Sequence, residues 1–492
     1  MIIFFFFFRI GFVMFEISLF NSNDLSALFE EKDGKKNFVP KNVAISSVII
    51  DNREVKKNSL FVAIRGENND GHNYIKSAVE NGAVFVVCEY LNKDIKEFLV
   101  KKSVGYVIVD NSIMALKEMA IFQRSRLKAK VIGITGSVGK TTTREMFACV
   151  FRKFYKTFTN AKNYNNHIGL PLTICNTPLD TEILILEMGM NNVGEIDYLS
   201  KIARPDIAVI TNVKNTHLGN FKDIGEIVEA KTEIFNGLNN QGIIVLNDKD
   251  DNYNKILEIA KEKGVKNILK VGGKNSSVFL SNFKFCDDFT TEFEVNCNCK
   301  YVKCRMEGYK LVNIQNSLFV FAVAEKFRLN LDEVAKALQD FKIVAGRGNL
   351  EKIDTTSGKC LIVFNDCYNS SPEALKASLI SLGIFKKKNQ NKRVIAVIGD
   401  MLELGEKSKE YHNEIADALI ENGIKNVILV GKESKVIFDS LPNDNGFNKL
   451  YFATTLDLEK EIEKHVQDGD VLMFKASHSL HFDILIKKLK SL

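Results

Sequence analysis

A glycine-rich segment, Gly136-Ser137-Val138-Gly139-Lys140-Thr141, lies between an apolar strand and a helix in the sequence. In that order of elements, the backbone N–H groups of the loop and the helix N-terminus can surround phosphate oxygens. Lys140 is placed to reach the β- and γ-phosphates, and the Thr141 hydroxyl is placed to bind Mg²⁺. The general pattern has its first glycine where this chain has Ile134, so an ordinary glycine-rich turn is the alternative. We favour nucleotide binding, because Gly-Lys-Thr opens the predicted helix.

Polar side chains follow three later apolar segments, each predicted to be a buried strand. Glu187 directly follows ILIL, His217 lies six residues past IAVIT, and Asn247 and Asp248 end GIIVLN. Ligands of open parallel sheets bind beyond the carboxyl ends of the strands, and a carboxylate there suits Mg²⁺. Each residue also has a structural alternative. Glu187 could be a solvated loop residue, His217 a hydrogen-bonded loop residue, and Asn247 and Asp248 could form a turn.

Strands and helices that alternate along the chain must position these side chains. The alternation predicts an α/β protein of three domains. We expect a small N-terminal α/β domain, a central P-loop ATPase-type domain with a parallel sheet covered on both faces, and a C-terminal Rossmann-like domain. The predicted boundaries are 14–110, 111–344 and 345–492.

The chain begins with an apolar run from Ile2 to Phe8, which Arg9 ends. This run is far shorter than the ~20 residues that a membrane span needs. No basic region precedes it and no small-residue cleavage site follows it, so a signal peptide is not predicted either. We interpret residues 1–13 as a mis-annotated or disordered start and expect translation to begin at Met14, with no stable membrane insertion.

Composition favours a folded, soluble protein. The 492 residues are 45% hydrophobic and 26% charged, as in average soluble proteins. Lysine and arginine exceed aspartate and glutamate by 67 to 61. The basic residues do not cluster in the sequence as they do in a nucleic-acid-binding protein with a concentrated basic face. The small positive surplus suits a small acidic substrate.

The nine cysteines are an odd number in a chain without an export signal, which predicts reduced thiols, no structural disulfides and a cytoplasmic location. Phe293, Val295, Cys297, Cys299 and Tyr301 alternate with polar residues, so they are predicted to form one face of a strand. A metal site that uses these thiols is the less favoured alternative.

Six motifs resemble those of the Mur ligases of bacterial cell-wall synthesis. They are TGSVGKT, LEMGMNNVGEI, NTHLGNF, EAKTEIF, AGRG and DCYNSSPEAL. The similarity runs from about Phe15 to the C-terminus, and DCYNSSP followed by GDMLELGEKSKEYH points to the members that add D-alanyl-D-alanine. The DNPR signature of members that add a diamino acid is absent.

The resemblance implies an ATP-dependent ligase that adds D-alanyl-D-alanine to UDP-N-acetylmuramoyl-tripeptide through an acyl phosphate. The residues implied to bind ATP are Gly136, Ser137, Val138, Gly139, Lys140, Thr141, Thr142, Asn313, Asn316, Arg347 and Asp366. The implied ligands of two Mg²⁺ ions are Thr141, Glu187, His217 and Lys231, the last after carbamylation by CO₂. The implied catalytic residues are Lys140, Lys231, His217 and Arg347.

Contacts to the UDP-linked peptide and the dipeptide are also implied by the resemblance. The residues concerned are Asn52, Arg53, Arg65, Gly66, Tyr368, Asn369, Lys475 and Ser477. The chain departs from the family pattern at Val312, Ala476 and His478, where relatives often have histidine, glycine and arginine. We expect a monomer.

Two other hypotheses about the function stay open. One is another Mur-type ligase or a folylpolyglutamate-type ligase. The other is a noncatalytic Mur-like nucleotide-binding subunit, which the presence of Lys140, Glu187, His217 and Lys231 disfavours.

Overall fold

The computed structural model describes residues 18–29, 37–161, 163–214, 220–444 and 446–491. These described residues form two compact units, one within Met1–Lys128 and Ile168–Thr181 and the other within Ala129–His167 and Glu182–Leu492. The segment 1–13 and the proposed start at Met14 lie outside the described residues.

The first unit is a small α/β structure. Its elements before residue 129 are β1 Phe20–Asn21, α1 Ser22–Leu28, β2 Ala44–Ile45, β3 Ser47–Ile49, β4 Ser59–Val62, α2 Ile75–Glu80, β5 Ala83–Cys88, α3 Lys93–Lys101, β6 Gly105–Ile108 and α4 Ser112–Arg126. Strands β3, β4, β5 and β6 form a parallel sheet in that order, and β1 pairs with β2 in an antiparallel ribbon. Phe61, Val86 and Leu99 are among the residues of its core.

Helix α4 belongs to the first unit, although the sequence predicts that its residues begin the central domain. Its side chains Leu116 and Met119 are fully buried. The buried Gln123 donates a hydrogen bond to the Thr177 carbonyl at 2.8 Å, and Thr177 lies in the second segment of this unit. These contacts extend the compact unit beyond the predicted boundary at residue 110.

The second unit opens with a nine-stranded sheet. The elements from residue 129 to residue 340 are β7 Lys130–Thr135, α5 Lys140–Phe151, β8 Thr157–Thr159, α6 Gly169–Cys175 (part of the first unit), β9 Ile183–Glu187, α7 Glu195–Ala203, β10 Ile207–Ile210, α8 Ile224–Thr232, β11 Ile243–Asn247, α9 Tyr253–Glu262, β12 Asn267–Val271, β13 Val278–Phe285, β14 Thr290–Cys297, β15 Lys300–Glu307, α10 Leu311–Lys326 and α11 Leu331–Gln339. The strand order is β15-β14-β13-β12-β11-β10-β7-β9-β8.

This sheet is mixed, whereas the sequence predicts a parallel one. Strands β8 to β13 pair in parallel, but β13, β14 and β15 pair in antiparallel fashion. The connections between these last strands are too short for a crossover helix, so each strand must reverse direction.

The cysteine-containing segment forms a hairpin and not one strand. Phe293, Val295 and Cys297 are buried on one face of β14, as predicted. The chain then turns at Asn298 and Cys299, which have φ of 48° and 68°, and Tyr301 on β15 is exposed. Because of the turn, Cys299 and Tyr301 do not continue the buried face. All nine cysteines are free thiols.

A six-stranded sheet follows in the same unit. Its elements are β16 Asn349–Asp354, β17 Cys360–Asn365, α12 Pro372–Lys388, β18 Val394–Gly399, α13 Ser408–Glu421, β19 Asn426–Val430, α14 Lys435–Ser440, β20 Asn448–Phe452, α15 Thr455–His465, β21 Val471–Lys475 and α16 Asp483–Ser491. The order is β16-β17-β21-β18-β19-β20, and all pairs except β16–β17 are parallel.

Helices cover both faces of this second sheet. In β18, Ala396 and Ile398 enter one hydrophobic core, while Ile395 and Val397 enter the core on the opposite face. A strand buried on both sides must be apolar at every position, which explains the uninterrupted run VIAVIG. Within the described residues, none of the helices has the length and apolar character required to cross a bilayer.

Candidate functional site

The glycine-rich loop connects β7 to α5, as predicted, and Asn212 just after β10 holds it in place. The Asn212 carbonyl accepts a hydrogen bond from the Ser137 N–H at 2.9 Å. The Asn212 side chain accepts from the Val138 N–H at 3.0 Å and donates to the Val138 carbonyl at 2.9 Å. Asn212 was not among the residues predicted from the sequence, although its position at the end of an apolar strand is the same signal that pointed to Glu187.

The loop approaches α10 so closely that a side chain at Gly139 has no room. Gly139 has φ of +89°, and a Cβ there would lie 2.7 Å from Asn316 Nδ2. Residues with a Cβ rarely adopt this conformation. The glycine therefore permits both the left-handed turn before α5 and the contact with α10.

We expect Gly139→Ala to weaken ADP binding by about tenfold or more, since strain at positive φ costs about 1–2 kcal/mol before the clash is added. The control is Gly194→Ala, because Gly194 has the same φ of +89° but no atom within 4 Å of a built Cβ. Calorimetric titration with ADP should show near-wild-type affinity for Gly194→Ala. Equal losses in the two variants would contradict a specific role for the contact with Asn316.

Lys140 begins α5 and folds back over the loop. Its Nζ donates to the Gly136 carbonyl at 2.7 Å and to the Ser137 carbonyl at 3.3 Å. Burial lowers the pKa of Lys140, the Glu187 carboxylate opposes this shift, and Arg347 adds to it. The side chain is therefore a desolvated cation at the centre of the loop, where phosphate oxygens would compensate its charge.

Glu187 ends β9 and is only 2% exposed, which excludes the solvated-loop alternative. Its Oε1 accepts from Asn165 Nδ2 at 2.9 Å. Its Oε2 lies 3.3 Å from a nitrogen of Arg144 but makes no hydrogen bond. A buried carboxylate oxygen with unused lone pairs fits a Mg²⁺ ion. His217, the other residue singled out from strand ends, lies outside the described residues.

Lys231 lies in the last turn of α8 and is 2% exposed. Burial lowers its pKa well below the ordinary value of lysine, and the positive charge of Lys140 lowers it further. An uncharged amine is the form that reacts with CO₂, so the environment of Lys231 fits a carbamate.

Asn313 and Asn316 are buried in the first two turns of α10. The Nδ2 atom of each makes no hydrogen bond. Buried amide donors without acceptors are uncommon and costly. Both side chains line the same cavity as the glycine-rich loop, so a nucleotide that binds there can supply the acceptors.

Asp366 follows β17 and is enclosed by cations. Its Oδ1 lies 2.7 Å from Lys310 Nζ, and its Oδ2 lies 2.9 Å from Lys475 Nζ. Ser378 Oγ donates to Oδ2 at 2.7 Å. Burial acts to raise the pKa of Asp366, but the two lysines outweigh it and the net shift is downward. Nothing in the sequence pattern pointed to Lys310.

Arg347 and Tyr368 form a stacked pair beside Asp366. The guanidinium carbon of Arg347 lies 4.1 Å from the centre of the Tyr368 ring. The centre of the His478 ring lies 5.7 Å from the centre of the same Tyr368 ring. The Asn369 carbonyl accepts from Lys475 Nζ at 3.1 Å. The Ser477 hydroxyl accepts from the Leu402 N–H at 2.9 Å.

One cavity of about 990 Å³ in the second unit brings most of the predicted residues together. The predicted residues that line it are Ser137, Val138, Gly139, Lys140, Thr141, Thr142, Glu187, Asn313, Asn316, Arg347, Asp366, Tyr368, Asn369, Lys475 and Ser477. The departures Val312 and His478 also line it, while Ala476 is fully buried. Gly136 and Lys231 are not part of the lining. The volume lies at the upper end of the range for small-molecule sites, which leaves room for a nucleotide and a second ligand.

The first unit contains the remaining predicted residues. Arg53 is exposed, and its guanidinium donates to both carboxylate oxygens of Asp51, from Nε to Oδ1 at 2.9 Å and from Nη2 to Oδ2 at 2.6 Å. The carbon of the Arg65 guanidinium lies 5.5 Å from the centre of the Tyr90 ring. Asn52 Nδ2 donates to Ser77 Oγ at 3.0 Å. The Gly66 N–H donates to the Asn69 carbonyl at 2.8 Å.

Three sequence profiles of one family match the chain. The Mur ligase family catalytic domain matches residues 44–124, the Mur ligase middle domain matches 134–324, and the Mur ligase glutamate ligase domain matches 350–478. The UDP-N-acetylmuramoyl-tripeptide--D-alanyl-D-alanine ligase of Rickettsia prowazekii is 32% identical over 449 residues, which cover 91% of this chain and 96% of the relative.

Two crystal structures share the fold. MurF ligase from Thermotoga maritima in complex with ADP has a TM-score of 0.75 and 27% identity over 90% of this chain and 97% of that one. MurF from Acinetobacter baumannii has a TM-score of 0.82 and 24% identity over 96% of this chain and 98% of that one. These matches extend over both sheets of the second unit and the small sheet of the first.

Proposed function

Since this chain belongs to the Mur ligase family, we propose that it adds D-alanyl-D-alanine to UDP-N-acetylmuramoyl-tripeptide in peptidoglycan precursor synthesis. It is an ATP-dependent ligase with the three-domain Mur ligase fold. The observation that carries the proposal is the cavity in which the glycine-rich loop, a buried carboxylate and several largely buried cations meet. The Rickettsia prowazekii relative, whose match covers 91% of this chain, has this activity in its name.

The reaction must first activate a carboxylate, which is a poor electrophile. The γ-phosphoryl group of ATP is transferred to an oxygen of the terminal carboxylate of the tripeptide, giving an acyl phosphate and ADP. The dipeptide amine then attacks the carbonyl carbon, the bond to the phosphate oxygen breaks, and the amine loses a proton. The products are the amide, phosphate and ADP. Both steps develop negative charge, which positioned cations stabilise.

The phosphate-binding residues perform the first part of this task. The N–H groups of the loop and of the first turn of α5 hold phosphate oxygens, and Lys140 exchanges the Gly136 carbonyl for the β- and γ-phosphates. Asn313 and Asn316 donate their unused N–H groups to the nucleotide. Arg347 reaches the phosphates from the face of Tyr368.

Thr141, Glu187, His217 and carbamylated Lys231 are the residues proposed to hold two Mg²⁺ ions. Bound Mg²⁺ neutralises the triphosphate and the phosphoryl group in transfer. Glu187 supplies a buried oxygen free of hydrogen bonds. The neutral Lys231 amine forms an N–C bond with CO₂ and loses one proton, so an uncharged buried amine becomes an anion.

The other substrates are proposed to bind in both units. Arg53 and Arg65 are exposed in the first unit, and a guanidinium is suited to the pyrophosphate of UDP. Tyr368, Lys475 and Ser477 lie in the cavity of the second unit, where the peptide carboxylate and the dipeptide react.

We expect phosphate release from Mg²⁺-ATP only when both UDP-N-acetylmuramoyl-tripeptide and D-alanyl-D-alanine are present, with the pentapeptide product identified by mass. Each substrate is omitted in turn as the control. Release with a different amino acid would assign the chain to another Mur-type or folylpolyglutamate-type ligase. No release with any acceptor would indicate a noncatalytic nucleotide-binding subunit.

A further inference from the structure

Lys310 is a largely buried cation of the second unit, and it contacts two separate parts of the site. It is the residue immediately before α10, the helix that carries Asn313 and Asn316. Its Nζ lies 2.7 Å from Asp366 Oδ1 and donates to the Arg347 carbonyl at 3.3 Å. Only 17% of its side chain is exposed.

Asp366 and its two lysine partners, Lys310 and Lys475, come from distant parts of the sequence. Lys310 precedes α10, Asp366 follows β17 and Lys475 ends β21. Lys310 is therefore the one member of this ion-paired set that lies beside the nine-stranded sheet, whereas the other two belong to the six-stranded sheet. Its ammonium links the start of the nucleotide-contacting helix to the backbone of Arg347.

Resting on the proposed ligase function, we propose that Lys310 is a positioning residue for ATP. It neutralises one oxygen of Asp366 beside the triphosphate, and it fixes the backbone of Arg347 so that the guanidinium faces the phosphates. Lys475 neutralises the other oxygen of Asp366 but makes no hydrogen bond to Arg347 among the contacts of the described residues. Lys310 thus has a role that Lys475 does not duplicate.

The surroundings of Lys310 make this role sensitive to pH. Burial lowers the pKa of Lys310 to about 8, Asp366 opposes that shift, and the charges of Lys475 and Arg347 add to it. As the pH rises through about 8, Lys310 loses its proton and the ion pair with Asp366 is lost. Nucleotide binding and kcat/KM for ATP should therefore fall on the alkaline side.

The test compares wild type with Lys310→Met and Lys310→Arg by ADP titration calorimetry and by kcat/KM for ATP, from about pH 6 to about pH 10. The control is Lys342→Met, because Lys342 is exposed and pairs at 3.0 Å with Glu307, which ends β15 shortly before Lys310. We expect Lys310→Met to lower both affinity and kcat/KM by about 10- to 100-fold, as small misplacements of catalytic groups do. Lys342→Met should stay within about twofold of wild type.

Lys310→Arg should retain most of the neutral-pH affinity and lose the alkaline fall near pH 8, because arginine keeps its charge there. An unchanged alkaline fall in this variant, or wild-type ADP affinity in a folded Lys310→Met, would overturn the proposal. If thermal melting shows that Lys310→Met is unfolded, the proposal is tested by comparing the pH profiles of wild type and Lys310→Arg. Wild-type protein that binds ADP but does not join the two peptide substrates would refute the ligase function while the ADP titrations still test Lys310.

Discussion

Lys140→Met should reduce phosphate release at saturating substrates by about 1,000-fold, the upper range for loss of one electrostatic group at a transition state. The wild-type ammonium is desolvated and bonded to the Gly136 carbonyl of the loop. A desolvated cation in that position stabilises charge on the transferring phosphoryl group more strongly than a fully solvated one does. Methionine has a similar shape but supplies neither charge nor hydrogen-bond donor.

The matched control is Lys153→Met, because Lys153 lies just past the end of α5, is exposed and pairs with Asp340 at 3.0 Å. That variant should ligate at the wild-type rate. Thermal melting of Lys140→Met should show a folded protein, since the substitution removes a desolvated positive charge that lies near Arg347. Activity of Lys140→Met within about tenfold of wild type would contradict the assignment of Lys140 to the phosphates.

Lys231→Ala should lower ligation by about 100-fold or more, because the proposed carbamate would be lost from the metal site. Acetate or formate should partly restore activity in this variant by placing a carboxylate in the space that alanine leaves. The carbamate itself should appear as a ¹³C NMR signal after incubation of wild type with ¹³CO₂, and this signal should be absent from Lys231→Ala. Wild-type activity should fall in acid, since protonation of the amine prevents reaction with CO₂.

The control for this prediction is Lys255→Ala, because Lys255 on α9 is nearly half exposed and lies 3.8 Å from Glu229 of α8. It should keep both the activity and the ¹³C signal of wild type. Full activity of Lys231→Ala would refute the role of the carbamate. Loss of activity without rescue, together with no ¹³C signal in wild type, would assign Lys231 a different role.

Local features of the sequence were sufficient for the fold class and for the first half of the site. An apolar strand followed by Gly-x-x-Gly-Lys-Thr predicted the β7–loop–α5 unit, and the structure confirms it. Glu187 was found because it ends a run of apolar residues, and it is buried at the end of β9. Such features depend on neighbours a few residues apart, which periodicity reports directly. The metal and catalytic roles of these residues stay predictions.

The turn within the cysteine-containing segment shows where periodicity is insufficient. Alternation of apolar residues continues through Cys299 to Tyr301, but the backbone reverses at Asn298 and Cys299 and ends the buried face. A period of two is the same in one long strand and in two strands of a hairpin with a two-residue turn. Only the pairing of β14 with β15 distinguishes them.

By itself the sequence determined the α/β class, the resemblance to the Mur ligases and the glycine-rich loop before α5. The tertiary structure decided which charges meet at Asp366, because Lys310, Asp366 and Lys475 lie far apart in the chain and are joined only when α10, β17 and β21 pack at one cavity. It also decided that the side-chain Nδ2 groups of Asn313 and Asn316 are buried without hydrogen-bond acceptors. Burial and long-range pairing depend on how elements return to each other in space, and residue spacing along the chain does not contain that information.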